Sequence, residues 1–176
     1  MAITKNKGAI VQRGGGTMYY KQVNDDGTDL TTPDTWHILP YIQSSNITIT
    51  SDTNEIKDET GDIIASEDVN YSVKLSGIFM QVDKDTLDFL GKTCRGKYYR
   101  IYINRGIVDG KTQEVMFGIG RFKAGFVDET GTRKPPFEVS FLKNDNIITE
   151  SLNLPSGAVA TSFSIPAGEY YVISET

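Results

Sequence analysis

Alternation with a period of two dominates the chain. Val69, Tyr71, Val73, Leu75 and Gly77 alternate with Asn70, Ser72, Lys74 and Ser76, and the run continues into Ile78-Phe79-Met80. Side chains two apart on a strand share a face, so this pattern predicts a strand over 69–82 with one buried side. Asn46 to Thr50 and Phe137 to Leu142 alternate in the same way, and Thr17 to Val23, Lys97 to Ile103 and Glu114 to Phe122 read as further strands. Dense turn chemistry separates them: Asn24-Asp25-Asp26-Gly27, Thr31-Thr32-Pro33-Asp34, Val108-Asp109-Gly110-Lys111 and Glu129-Thr130-Gly131-Thr132. Trp36 to Thr50 is expected to hold two strands broken near Pro40.

Only one segment carries helical signals. Asp83 fits an N-cap for Lys84 to Leu90, and Gly91 fits the position just past the end. The expected class is therefore all-β with one short α-helix. Seventeen Gly, nine Tyr and eight Phe among 176 residues agree with short strands and tight turns. Residues 1–16 lack periodicity and end in Gly14-Gly15-Gly16, which predicts a mobile arm. Residues 17–143 form the expected β domain, and 144–176 a C-terminal β extension packed on it.

Between the strands lies a polar stretch, 51–68, with a hairpin core. Glu55-Ile56-Lys57 and Asp62-Ile63-Ile64-Ala65 flank a turn at Glu59-Thr60-Gly61. Lys57 is its only cation, against Asp52, Glu55, Asp58, Glu59, Asp62, Glu67 and Asp68. By contrast, 92–105 holds Lys92, Arg95, Lys97, Arg100 and Arg105 without a carboxylate. Two patches of opposite sign on one chain suit a head-to-tail contact between copies.

Chemical motifs are weak by comparison. Gly91 to Lys97 matches the spacing of a phosphate-binding loop, but Tyr98 follows where a hydroxyl should hold magnesium, and the segment runs from helix to strand. Gly118-Ile119-Gly120 lacks the third glycine of a dinucleotide fingerprint and marks a bulge or close backbone approach instead. His37 is the only histidine and Cys94 the only cysteine, so a catalytic triad, a zinc site or a disulfide framework has too few members. The acidic stretch does not follow the spacing of a calcium loop. No enzyme activity, cofactor or metal is expected. The net charge of −5 argues against a surface that clamps phosphates. No apolar run reaches the length of a membrane span, and no secretory leader is expected.

The order of these features resembles the tail-tube protein family of phages and related contractile injection machines. The resemblance covers residues 17–143: strands ending at Asn46 to Thr50, an acidic hairpin, a long strand from Val69, a helix at Thr86 to Gly91, then a Gly-Lys-Tyr-Tyr strand and hairpins. It implies a β-sandwich or barrel-like fold whose inner sheet joins those of its neighbours, and a structural virion protein whose copies close into rings, usually of six, and stack into a hollow tube for DNA. It also implies partners in the sheath, baseplate or tail terminator, and assembly in the host cytoplasm. The contacts expected between copies involve Glu55, Ile56, Asp58, Glu59, Asp62, Ile63 and Ile64 on one side, and Lys92, Arg95 and Lys97 on the other. A capsid decoration protein or adhesin-type binding module, with the hairpin as recognition loop, is the alternative.

Overall fold

The structure is a computed structural model, and it describes residues 16–39, 42–80, 83–108, 110–125, 136–152 and 162–175. Apart from Gly16, the expected arm lies outside the described residues. The protein is all-β with one short helix. Its strands are β1 (Thr17–Val23), β2 (His37–Ile38), β3 (Ile42–Lys57), β4 (Ile63–Phe79), β5 (Tyr98–Val108), β6 (Lys111–Phe122), β7 (Pro136–Leu142), β8 (Ile148–Ser151), β9 (Ser162–Ile165) and β10 (Tyr171–Glu175).

Seven strands follow the order β2-β1-β5-β6-β7-β4-β3, all neighbours antiparallel, and β10 adds to β6. The ends of this path are consecutive in the chain. β1 pairs β2, Leu39 N donates to Met18 O at 2.9 Å, and Ile42 N at the start of β3 donates to Gly16 O at 3.2 Å. The sheet is thus rolled until its two ends meet, which removes most of its edges. Inside the roll lie Met18, Ile42, Val73, Leu75, Phe79, Ile101, Ile103, Val115, Phe117, Val139 and Phe141.

A second apolar layer sits on the outer face of β1, β5 and β6. There Tyr19, Tyr102, Met116 and Ile119 pack under the β8–β9 pair, with Ile148, Phe163 and Ile165. Both faces of β5 and β6 are therefore covered. This accounts for unbroken apolar runs such as Val115-Met116-Phe117 where simple alternation would place polar residues.

Gly118 and Gly120 behave as expected. From the pair Ile101–Phe117 to the pair Tyr99–Gly120, β6 advances three residues and β5 two. The bulge reverses the facing, so Met116 and Ile119 point outward while Phe117 and Phe122 point inward. A Cβ on Gly118 would lie 2.5 Å from Asn144 Oδ1, and one on Gly120 2.7 Å from Phe141.

At the same bulge β6 changes partner. It pairs β7 from Ile119 to Phe122 and β10 from Gln113 to Phe117. β7 and β10 thus form one line along β6, interrupted between Leu142 and Tyr171. Within the expected extension 144–176, β10 belongs to the main sheet, while β8 and β9 pair with each other. The interruption is stitched by Asn144 N to Glu169 O at 3.0 Å and Gly168 N to Asn144 O at 2.7 Å.

The helix α1 spans Lys84–Asp88 with Asp83 as N-cap, whose Oδ1 accepts from Thr86 N at 2.8 Å. Gly91 is not its stop. The chain continues in a π-helical turn, Phe89–Thr93, closed by Cys94 N to Phe89 O at 3.0 Å. The wider turn lets Phe89, Leu90 and Cys94 all reach the barrel core, a tertiary gain that overrides the local glycine signal.

Candidate assembly surface

The residues expected to meet between copies are placed by β3 and β4. The short hairpin and the following strand expected from the sequence are in fact one long hairpin, because Ile42 pairs Phe79 at its base and Lys57 pairs Ile63 at its tip. Near its middle sits a bulge. Between the pairs Thr50–Ser72 and Asp52–Val69, β4 spends three residues against two on β3, and Asn70 takes a φ of +54°. Asparagine tolerates that left-handed conformation better than most side chains, and its Nδ2 donates to Asp52 Oδ2 at 3.3 Å.

Below the bulge the hairpin is a wall of the barrel. Above it, every residue from 51 to 68 is exposed. At about 3.4 Å per residue, the six residues from Asp52 to Lys57 carry the ribbon roughly 20 Å beyond the wall. Two strands alone are marginal in water, so this ribbon has no internal core to hold it.

Its tip is nevertheless well formed. Asp58 Oδ1 accepts from Thr60 N at 2.9 Å, Thr60 Oγ1 at 2.7 Å and Asp62 N at 2.9 Å, while Asp58 N donates to Asp62 O at 2.9 Å. The Thr60 hydroxyl and the Asp62 amide hold the Asp58 carboxyl below the usual carboxylate range. Ile56, Ile63 and Ile64 are 53%, 55% and 64% exposed. Ile49 and Tyr71, at the ribbon's root, are half exposed as well. The sequence reading assigned those two to a buried face; the bulge at Asn70, not signalled by any glycine, ends the burial there.

The basic residues lie at the other end of the barrel. β4 runs from the hairpin tip toward α1, and the alternating directions across β7, β6 and β5 put Tyr98 at the α1 end. Lys92 and Arg95 are exposed and Lys97 is half-buried, and among the described residues none of the three has an acidic partner in an ion pair. Arg121, which sequence reasoning did not single out, joins this end with its guanidinium 5.4 Å from the centre of the Tyr98 ring. Opposite charges on opposite ends cannot satisfy one another within a subunit.

Two basic residues of the run are not part of this surface: Arg105, seven residues along β5 from Tyr98, lies toward the opposite end with its Nη1 bonded to Gln113 Oε1 at 3.2 Å, and Arg100 is held inside. Arg100 is buried on the outer face of β5 and bonds Glu150 of β8 and the Gly27 carbonyl. Lys21 Nζ reaches the same Glu150 at 3.2 Å and Asp29 at 2.9 Å. The charge pattern along the sequence could not separate Arg100 from its exposed neighbours, because Glu150 is 50 residues away.

His37 is exposed, stacked on Tyr20 at 5.2 Å, and bonded to Asp34 Oδ1 at 3.0 Å. Cys94 is buried and its thiol donates to Leu90 O at 3.4 Å. Burial pushes that thiol up, outweighing Arg95 and Lys97, which is the reverse of what a nucleophile needs. Among the described residues, no cluster of three or more His, Cys, Asp or Glu is arranged to hold a metal ion. No protein-family model matches the chain, and no curated protein matches it.

Proposed function

We propose that this protein is a structural subunit of the tail-tube type, whose copies close into rings and stack into a hollow tube through which DNA passes without specific binding. The observation that carries the reading is the acidic ribbon, with three isoleucines bare at its tip, projecting from one end of a barrel whose other end carries cations without an ion-pair partner among the described residues. Placed head to tail, the ribbon of one copy meets the basic end of the next. Ile56, Ile63 and Ile64 then gain a cover, and Glu55, Asp58, Glu59 and Asp62 approach Lys92, Arg95 and Lys97. Such a contact is heterologous and repeats without limit, as a stacked tube requires. A net charge of −5 suits a conduit that repels phosphate.

Deleting residues 57–62 tests the proposal. The deletion removes only exposed residues, so circular dichroism of the variant should match wild type. Negative-stain microscopy and sedimentation should show tubes for the wild type and rings or single subunits for the deletion. Tubes of normal length from the deleted protein would refute the stacking role. Wild-type protein that stays monomeric alone but binds a preformed capsid lattice would favour the decoration-protein alternative.

A further inference from the structure

Two free strand edges face each other at the root of the ribbon. One side of β6 pairs β5, and the other pairs β7 up to Leu142 and β10 from Tyr171. One side of β4 pairs β3, and the other pairs β7 only as far as Val73. From Ser72 to Ile63 that side of β4 meets no strand among the described residues, and the side of β10 turned away from β6 meets none either. β10 runs the same way as β7, opposite to β4. The facing edges thus have the directions that an antiparallel pair needs.

Their registers agree as well. Phe141 faces Val73, which puts Leu142 level with Ser72. Leu142 faces Ile119 and Tyr171 faces Phe117, with Gly118 as the extra residue of the β6 bulge between them, so Tyr171 takes the next place in line after Leu142. The next place on β4 after Ser72 is its own bulge, Tyr71 with Asn70. Beyond these two level bulges, Val172 comes opposite Val69 and Ile173 opposite Asp68. Tyr170 Oη already donates to Tyr71 O at 3.4 Å across the foot of the opening.

The opening is lined by apolar groups that lack a cover. Ile173 sits beside Val115 and Ile49 beside Val73, on the face that lines the barrel, and Tyr71 follows on that face two residues from Val73. The three are 45%, 51% and 54% exposed. Asn70, left-handed between extended neighbours, is a point where a small change of backbone angles swings everything beyond it. A third strand is also what a two-stranded ribbon lacks for stability of its own. Charge opposes the approach. Asp68 and Glu175 fall on one face of the paired strands as diagonal neighbours, where like charges repel.

We propose that the ribbon is hinged at the Asn70 bulge and closes onto β10, with β4 adding to it as an antiparallel strand in which Val69 lies opposite Val172 and Asp68 opposite Ile173. Closure covers Ile49, Tyr71 and Ile173 and makes the ribbon's root a three-stranded sheet. Ile56 and Ile63, nearer the tip, remain bare. The hinge belongs to the single subunit and does not depend on the tube reading.

Crosslinking of the full chain tests it. In a Cys94→Ala background, Val69→Cys with Val172→Cys places two thiols directly opposite in the closed form, a separation a disulfide can bridge. Ser66→Cys with Val172→Cys keeps both positions on the same edges but three residues out of register. In dilute solution under oxidised glutathione, the first pair should close within one chain on the order of tenfold faster than the second. Equal rates, or disulfides that join two chains, would overturn the proposal. Hydrogen exchange on the chain with its native cysteine gives a reading independent of the alanine background. Asp68→Asn with Glu175→Gln removes the two carboxylates that meet on closure, and should slow exchange of the edge amides in 66–72 and 172–175 about fivefold while leaving β8 and β9 unchanged. Unaltered exchange along both edges would count against the hinge.

Discussion

Removing the Glu150 carboxylate should destabilise the protein strongly, because it leaves two buried cations short of a partner. Its side chain is 9% exposed and lies between Lys21, 8% exposed, and Arg100, 4% exposed. Each charge was taken out of water, and the cluster is tolerable because each has a partner in place. Among the described residues, Glu150→Ala leaves the two buried cations with Asp29 as their acidic partner, 49% exposed and already bonded to Lys21, and leaves Arg100 its bond to the Gly27 carbonyl. Breaking a buried pair in this way costs about 3–5 kcal/mol, and Asp29 puts the expected loss near the lower end. That is a large part of the 5–15 kcal/mol typical of a domain. Urea unfolding followed by Trp36 fluorescence measures it. The effect belongs to the charges and not to the volume. Replacing all three together, Lys21→Met, Arg100→Leu and Glu150→Leu, should accordingly restore stability to within about 1 kcal/mol of wild type. A loss below about 1 kcal/mol for Glu150→Ala alone would show that the cluster is hydrated and refute the reasoning.

Gly118→Ala should lower stability by about 1–3 kcal/mol in the same assay, because its Cβ would meet the fully buried Asn144 side chain at 2.5 Å, at the interruption between β7 and β10. Asp83→Ala should cost about 1 kcal/mol at neutral pH through loss of the helix cap. Bonds from the Thr86 hydroxyl and amide lower the Asp83 pKa, so its contribution is complete above the ordinary carboxylate range and fades as acid protonates it. The difference between wild type and Asp83→Ala should therefore shrink as pH falls below about 4; a difference that grew in acid would contradict this.

Strand existence was legible wherever one face is buried and the other wet. Val73 and Leu75 on β4 and Val139 and Phe141 on β7 alternate with polar neighbours, and those segments are strands in the structure. The exposure of residues 55–64 was legible for the complementary reason: isoleucines among carboxylates cannot be buried by so short a hairpin. What was illegible depends on partners far away in sequence. Nothing local to Arg100 distinguishes a cation facing Glu150 from one facing water. Nothing local to Phe89-Leu90-Gly91 shows that a core lies beyond the expected stop and makes a π-helical turn favourable.

The division of the last 33 residues follows from the same physics. A sequence scan meets Pro155-Ser156-Gly157 and Pro166-Ala167-Gly168 and finds short apolar runs between turns, the signature of an appendage. Strand pairing, however, is set by register along β6, and β6 needs a neighbour beyond the bulge at Gly118, where β7 has already ended. Tyr171 fills that place opposite Phe117 and packs on the barrel core. Gly118 N bonds Tyr170 O at 3.2 Å as the chain returns. The last strand, β10, is thus part of the closed sheet, and β8 and β9 are laid over the outer apolar face, with Glu150 of β8 fixed there by Lys21 and Arg100. A chain ended at residue 143 would lose both the cover of that face and a strand of the sheet itself.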